Sequence, residues 1–356
     1  MKEQILLLGT GYGGMSFLQN ILPDIPRYVE ITVIDRLPFH TIKPEYYALA
    51  AGSMVDKDVI TSFPEHPQII YITDEVEEIQ VMNQQVICRN GTFPYQKLIV
   101  ALGCVDNYFQ VPWAEEFTES IQTYQKALNT REKIKRLKPN QSVVIIGAGL
   151  TGIEFCCELR ELRPDINITL LEQGPSILPT LPRKIQEYVQ DYLEELEIEI
   201  FTNIRVRLIE QNKVHFQFED QPIQFDVCIW AAGIKANPII SPLIPYSGPD
   251  RIGRLTVKEN YELPYRENIF VIGDCASSAF APSAQLANIH GKQLAHYFTS
   301  VWTGQEYRPE PIKLKGVLGY LGKKRGFGLI NDTAVLGPIP RVIKSGILWL
   351  HKHHIG

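Results

Sequence analysis

Apolar residues in this chain come in short runs separated by glycine-rich turns and by stretches of mixed character. Ile5-Leu6-Leu7-Leu8 is the first such run, and a continuous apolar run of this length reads as a strand buried on both faces. Gly9-Thr10-Gly11-Tyr12-Gly13-Gly14 follows and opens a predicted helix through Leu18. The next buried strand, Ile31-Thr32-Val33-Ile34, ends in Asp35. The whole phrase then returns. Val143-Val144-Ile145-Ile146 leads into Gly147-Ala148-Gly149-Leu150-Thr151-Gly152, and the strand Ile168-Thr169-Leu170-Leu171 ends in Glu172. The duplication reaches further, because two more apolar strands close in small residues and glycine. One ends Ala101-Leu102-Gly103 and the other Ala231-Ala232-Gly233.

Other patterns fill the spaces. Alternation predicts strands at Ile69–Thr73, Val76–Val81 and Gln85–Cys88, and again at Ile198–Thr202, Val206–Gln211 and Val214–Glu219. Tyr124 to Leu137 predicts a charged amphipathic helix stopped by Pro139, and Arg183 to Leu196 another. The aromatic stretch from Phe39 to Gly52 reads as partly helical and follows the first acidic strand end, so it should run beside a ligand bound there. Pro-rich sequence at Asn237–Pro249 reads as a crossover. Beyond it, Glu267 to Asp274 is an apolar strand ending in Gly273-Asp274, and Ala284 to Trp302 a helix. Pro340 to His354 can be drawn as a last helix, with Val342, Ile343, Ile347 and Leu350 on one face and Arg341, Lys344, Ser345 and Lys352 elsewhere.

The glycine turns carry specific chemistry. In Gly-x-Gly-x-x-Gly between a strand and a helix, the first glycine permits the tight turn. The second lets backbone approach a pyrophosphate, and the third lets the helix pack on the strand. The helix N-terminus then faces the phosphates. Asp35 and Glu172 each follow their third glycine by about 20 residues, where a carboxylate that binds a ribose diol is expected. Two complete fingerprints make this an α/β chain with two dinucleotide-binding (Rossmann-like) domains and a small C-terminal region.

Bulk properties narrow the class. A chain of 356 residues is long enough for two or three domains, and a net charge of −5 disfavours general nucleic-acid binding. The apolar start is the first strand rather than a signal peptide, and six cysteines without paired spacing fit a reducing compartment, so a cytoplasmic protein is expected. From Ile312 onward there are eight Lys/Arg and one acid, which suggests contact with something anionic, such as the inner face of the cell membrane. No metal-ligand spacing appears, and the terminal His351, His353 and His354 read as solvated.

Taken together, the two fingerprints, the Ala-Leu-Gly and Ala-Ala-Gly turns and the Ile-Gly-Asp strand resemble the two-dinucleotide-binding flavoproteins. Gly152-Ile153-Glu154, Ala284-Gln285-Leu286-Ala287 and the stretch Leu314 to Gly322 resemble type II NADH dehydrogenases, the single-subunit NADH:quinone oxidoreductases. The resemblance implies an FAD-binding domain over 1–112 and 239–311, an inserted NADH-binding domain over 113–238, and an interface or membrane-facing region over 312–356. It carries Gly9, Gly11, Gly14, Asp35 and Asp274 over to FAD and Gly147, Gly149, Gly152 and Glu172 to NADH, and Ala101, Gly103, Gly233, Gly273 and Ala284 are further expected cofactor-binding positions. Gln173 follows Glu172 where a cation would favour NADPH, so NADH is expected.

The chemistry expected of the site rests on three side chains. Glu154 either favours a helix N-terminus or handles a quinone proton, Gln285 can bond the flavin ring edge or a quinone carbonyl, and Lys344 is a partner from the tail that more often would be solvated. The last helix either packs on the FAD domain, mediates a homodimer, or lies on an anionic membrane, with packing placed slightly ahead. Other readings stay open: a soluble flavoprotein reductase of a small redox protein, a sulfide:quinone oxidoreductase-like enzyme using Cys104 and Cys275, and a low-turnover NADH-binding sensor.

Overall fold

Apolar runs without a polar side require a sheet covered on both faces, and that is how the chain uses them. In this computed structural model, which describes residues 2–217 and 221–355, the first sheet is six-stranded. Ile69–Thr73, Val29–Asp35, Glu3–Leu8, Lys97–Val100 and Arg266–Val271 run parallel in that order, with Glu262–Leu263 antiparallel at the edge. Leu6 pairs Thr32 on one side and Leu98 on the other. Strand alternation sends Ile5 and Leu7 to one face, with Phe17, Leu18 and Phe298, and Leu6 and Leu8 to the other, with Val86 and Tyr95. The first face is covered by the helices Tyr12–Ile21 and Ala284–Thr303, which pack on each other. An antiparallel meander, Val76–Gln80, Gln85–Cys88 and Thr92–Pro94, contributes to the second.

The second lobe repeats the plan in four parallel strands, ordered Glu199–Phe201, Asn167–Leu171, Ser142–Ile146 and Val227–Trp230. Its faces are covered by the helices Leu150–Leu162 and Arg183–Glu195 and by the meander Val206–Glu210, Lys213–Phe216 and Ile223–Gln224. The last two strands of the first sheet, Glu262–Leu263 and Arg266–Val271, come after this lobe, so the second lobe interrupts the first. The two are stitched by antiparallel pairing of Cys104–Asp106 with Ile234–Ala236.

Differences from the sequence reading are local. The first helix continues to Ile21, because Met15, Phe17, Leu18 and Ile21 all have a buried face to fill. Asn237–Pro249 is a crossover that coils into a 3-10 turn over Pro238–Tyr246. Phe218 and Glu219, the end of the predicted strand Val214–Glu219, lie outside the described residues, as do the side chains of His351, His353 and His354. The region after Ile312 holds an unforeseen antiparallel sheet: Gly316–Leu321, Arg325–Ile330 and Thr333–Gly337.

The tail helix, Pro338–Ile355, corrects two expectations. Its apolar face does not pack inward: Val342 is 70% exposed, Ile347 53% and Leu350 49%. Of the two readings of Lys344, a partner from the tail or a solvated face residue, the commoner solvated one fails, because Lys344 is buried. The helix turns Lys344 and Leu348 toward the protein and Val342, Ile347 and Leu350 toward solvent. No helix among the described residues is long and apolar enough to cross a membrane.

Candidate active site at the junction of the lobes and the tail

The two glycine turns have the same geometry. Gly9 and Gly147 have φ of +92° and +109°, and a Cβ on either would lie 2.6 Å from a carbonyl oxygen, of Ala101 and Ala231 respectively. Only glycine fits that conformation at that separation. A Cβ on Gly14 would sit 2.1 Å from the Gly9 oxygen, and one on Gly152 2.0 Å from the Gly147 oxygen, so each helix is pressed onto its own turn. At Gly11 and Gly149, by contrast, a Cβ would meet nothing within 4 Å. Each helix N-terminus therefore opens on free space, which is what a phosphate-binding turn requires.

The acidic partners are held alike. Asp35 Oδ2 accepts hydrogen bonds from the backbone N–H and the hydroxyl of Thr10, both at 2.7 Å, and Oδ1 accepts from the N–H of Leu37 at 2.9 Å. Glu172 Oε2 accepts from the Ala148 N–H at 2.9 Å, and Oε1 from the Gly174 N–H at 2.7 Å. Both carboxylates are tied to the residue after the first glycine. This fixes them beside the phosphate turn with lone pairs left for a ribose diol.

Where the lobes meet, Gly103 has a φ of +68° and open space at its Cβ position, and Gly233 lies under the ring of Phe109. Gly273, with a φ of +66°, donates its N–H to Nδ1 of buried His290 at 3.2 Å. The Cys104 thiol donates to Asp274 Oδ2 at 3.0 Å and accepts from Gln122 Nε2 at 2.9 Å and Lys43 Nζ at 3.4 Å. Cys275 donates to the Gly103 carbonyl at 3.1 Å. Burial pushes both thiols up to about 12, so they stay protonated and poorly nucleophilic. Ala284 opens its helix behind Ser283, whose hydroxyl accepts from the Leu286 N–H at 3.1 Å. Gln285 Oε1 accepts from the Lys315 N–H at 3.1 Å, tying that helix start to the segment entering the C-terminal sheet.

Glu154 is drawn into a buried cluster with the tail. It ion-pairs with Lys344, and its Oε1 accepts the Tyr320 N–H at 2.8 Å. The Lys344 ammonium lies 4.4 Å from the centroid of the Tyr320 ring and 5.6 Å from that of Tyr47. The Tyr320 hydroxyl is 2.9 Å from Ser345 Oγ. Burial pushes the Glu154 carboxyl up, against the lowering influence of Lys344 and the Tyr320 N–H. Glu154 and Glu158 lie on the buried face of the second fingerprint helix, because the C-terminal sheet and the helix Tyr46–Ala51 both cover it. Tyr47, Glu45 and Tyr320 were not picked out from the sequence. For Glu45 the available signal was an acid embedded in an aromatic and alanine run.

The residues present suit the two nucleotides differently. Each lobe has open space at its glycine turn and a carboxylate tied beside it. In the second lobe neutral Gln173, not a cation, follows Glu172, and a carboxylate without a neighbouring cation fits NADH rather than a 2′-phosphate. The first lobe adds the glycine-lined junction of Gly103, Gly273 and Asp274, which suits the longer FAD.

Comparison with known proteins agrees with this geometry. The family model described as pyridine nucleotide-disulphide oxidoreductase matches residues 3–295. The NADH dehydrogenase-like protein YutJ of Bacillus subtilis (strain 168) is 42% identical over 99% of this chain and 100% of its own. A type II NADH:quinone oxidoreductase of Staphylococcus aureus (strain MSSA476) is 25% identical, covering 97% of this chain and 94% of its own. Among solved structures, NDH2 from Plasmodium falciparum in complex with NADH superposes with a TM-score of 0.88 at 19% identity, covering 100% of this chain and 97% of that one. With its paired nucleotide turns and a family match over most of its length, the chain belongs to the pyridine nucleotide-disulphide oxidoreductases and is an oxidoreductase of the NADH dehydrogenase type.

Proposed function

We propose that this protein oxidises NADH and passes the electrons through bound FAD to a quinone, at a site closed on one side by its own tail. The observation that carries the quinone assignment is the buried Glu154–Lys344 pair, because quinol formation needs protons delivered away from bulk water. The relatives named for NADH:quinone oxidoreduction support it.

The proposed roles start from the two turns. Gly9, Gly11 and Gly14 would cradle the FAD pyrophosphate and Asp35 would bind its adenosine ribose, with Ala101, Gly103, Gly273, Asp274 and Ala284 also contributing to the FAD site. Gly147, Gly149 and Gly152 would receive the NADH pyrophosphate and Glu172 its adenosine ribose, with Gly233 contributing to the NADH site. FAD, when bound, would supply the hydride acceptor. The helix from Ala284 aims its positive end at the site, and Gln285 offers an amide to a quinone carbonyl. Glu154 and Lys344 pass the proton toward the acceptor. The solvent-facing Val342, Ile347 and Leu350, in a region carrying eight basic residues and one acid, suit shallow docking on an anionic membrane where a quinone dissolves. A sulfide route is disfavoured, since every described cysteine is buried.

The test is steady-state NADH oxidation with a short-chain quinone and, separately, with ferricyanide, which takes electrons without protons. E154Q should lower quinone turnover by about 100-fold while leaving ferricyanide turnover within about threefold. Equal loss with both acceptors would contradict the assignment.

A further inference from the structure

Glu45 belongs to neither nucleotide turn, yet it is only 4% exposed. It ends the turn that opens the helix Tyr46–Ala51, and that helix packs on the second fingerprint helix. Every element around it brings a titratable or charged group. Tyr12 comes from the first fingerprint helix, Tyr46 and Tyr47 from its own helix, and Glu154 and Glu158 from the second fingerprint helix. Tyr320 comes from the C-terminal sheet, and Arg341 and Lys344 from the tail. Three carboxyls are thus buried together, at 4% exposure for Glu45 and Glu154 and 8% for Glu158, and the buried cation beside them, Lys344, is already paired with Glu154. A carboxyl buried beside other carboxyls, where the buried cation is engaged by a neighbour, is favoured in its protonated form.

We propose that Glu45 holds, as its carboxylic acid, the one proton that quinol formation takes from water, and releases it toward the acceptor through the Glu154–Lys344 pair. The proposal rests on the quinone reading above. NADH delivers a hydride, which is two electrons and one hydrogen nucleus, so reduction of a quinone to a quinol consumes one further proton. In the proposed step the O–H bond of the Glu45 carboxyl breaks and an O–H bond forms on the quinone oxygen. Lys344 and Arg341 stabilise the Glu45 carboxylate left behind, and water restores its proton after NAD+ and quinol leave.

The electrostatics are consistent with that task. Burial pushes the Glu45 carboxyl up to about 7. Lys344 draws it back, Glu154 and Glu158 push it further up, and Arg341 lowers it. An acid balanced near the working pH both gives up and regains a proton readily. The tyrosines around it are pushed above their ordinary range by burial and stay neutral.

Two readouts on the FAD-loaded enzyme test this. Infrared difference spectra of the oxidised protein, taken without NADH across the neutral range, should show a carboxylic-acid band that disappears as pH rises through about 7. The band should be missing in E45Q and return, shifted, in E45D. In anaerobic stopped-flow, flavin reoxidation by a short-chain quinone should slow above that pH in the native protein. In E45Q it should be about tenfold slower and flat with pH, while reduction by NADH stays within about twofold. An unchanged band in E45Q, or an unchanged reoxidation profile, would overturn the proposal. If NADH bleaches the flavin and quinone never restores it, the quinone reading falls, and the infrared titration still decides whether Glu45 keeps the proton.

Discussion

Asp35 and Glu172 occupy equivalent places in two lobes, each tied by hydrogen bonds to the residue after the first glycine. Replacing Glu172 with Ala removes a charged acceptor worth about 1.5–3 kcal/mol. The KM for NADH should therefore rise about tenfold or more, and the preference over NADPH should narrow, as steady-state kinetics with both coenzymes will read. Lys344 makes a different prediction. K344M leaves the Glu154 carboxylate buried without its cation, at a cost of about 3–5 kcal/mol, whereas E154Q/K344M removes both charges and should recover most of that loss in denaturant titrations. Glu45 adds a pH signature. Its native carboxyl keeps a proton up to about 7, against 4.5 for the ordinary group. Between those values the unfolded chain has released its proton and the native chain has not. Stability contributed by Glu45 is thus full below the lower value, falls as pH rises between them, and is flat above, by about 3 kcal/mol in all. Relative to native protein, E45Q should gain stability over that window in matched melts. Asp35 and Glu172 could be picked out in the sequence because their spacing from a local motif defines them, and the structure ties both to their glycine turns. The Glu154–Lys344 pair was legible only as two candidates, since its members are 190 positions apart and nothing local joins them.

Helix placement depends on contacts that exclude even a methyl group. A Cβ on Gly14 or Gly152 would stand within 2.1 Å of its turn's carbonyl, so alanine must push the helix off its strand. The two lobes separate the consequences. G14A should yield protein that purifies with little flavin, and G152A protein that keeps flavin but is not bleached by NADH; absorbance spectra distinguish them. Gly291 is equally constrained, because a Cβ there would lie 2.2 Å from the Gly13 oxygen where the helices Tyr12–Ile21 and Ala284–Thr303 cross. Most elements were readable because their apolar periods are strong, with ends displaced by only a few residues. The C-terminal sheet was not. Glycine stands at Gly316, Gly319, Gly326 and Gly328, which removes the side chains that would mark a period of two, and the ring of Phe327 takes up the space beside Gly319.

At the scale of the whole molecule, the tail links the second lobe to whatever lies outside. Its inner face supplies Lys344 to Glu154, while its outer face presents Ile339, Val342, Ile347, Trp349 and Leu350 to solvent. The amphipathic pattern was visible in the sequence, but its direction was not, because a lysine and a valine exchange faces only when a buried carboxylate waits for the lysine. Substituting V342S, I347S and L350S together should abolish cosedimentation with anionic phospholipid vesicles while leaving ferricyanide reduction within about twofold, since all three are exposed on the outer side of the helix. In the proposed function one chain carries electrons from NADH through FAD to a quinone, and an anaerobic titration tests it: add NADH to the purified holoenzyme, follow the visible flavin absorbance, then add a short-chain quinone. NADH should bleach the flavin rapidly, and quinone should restore its absorbance in full. Flavin that is present but not bleached, or bleached flavin that quinone leaves reduced, would contradict it.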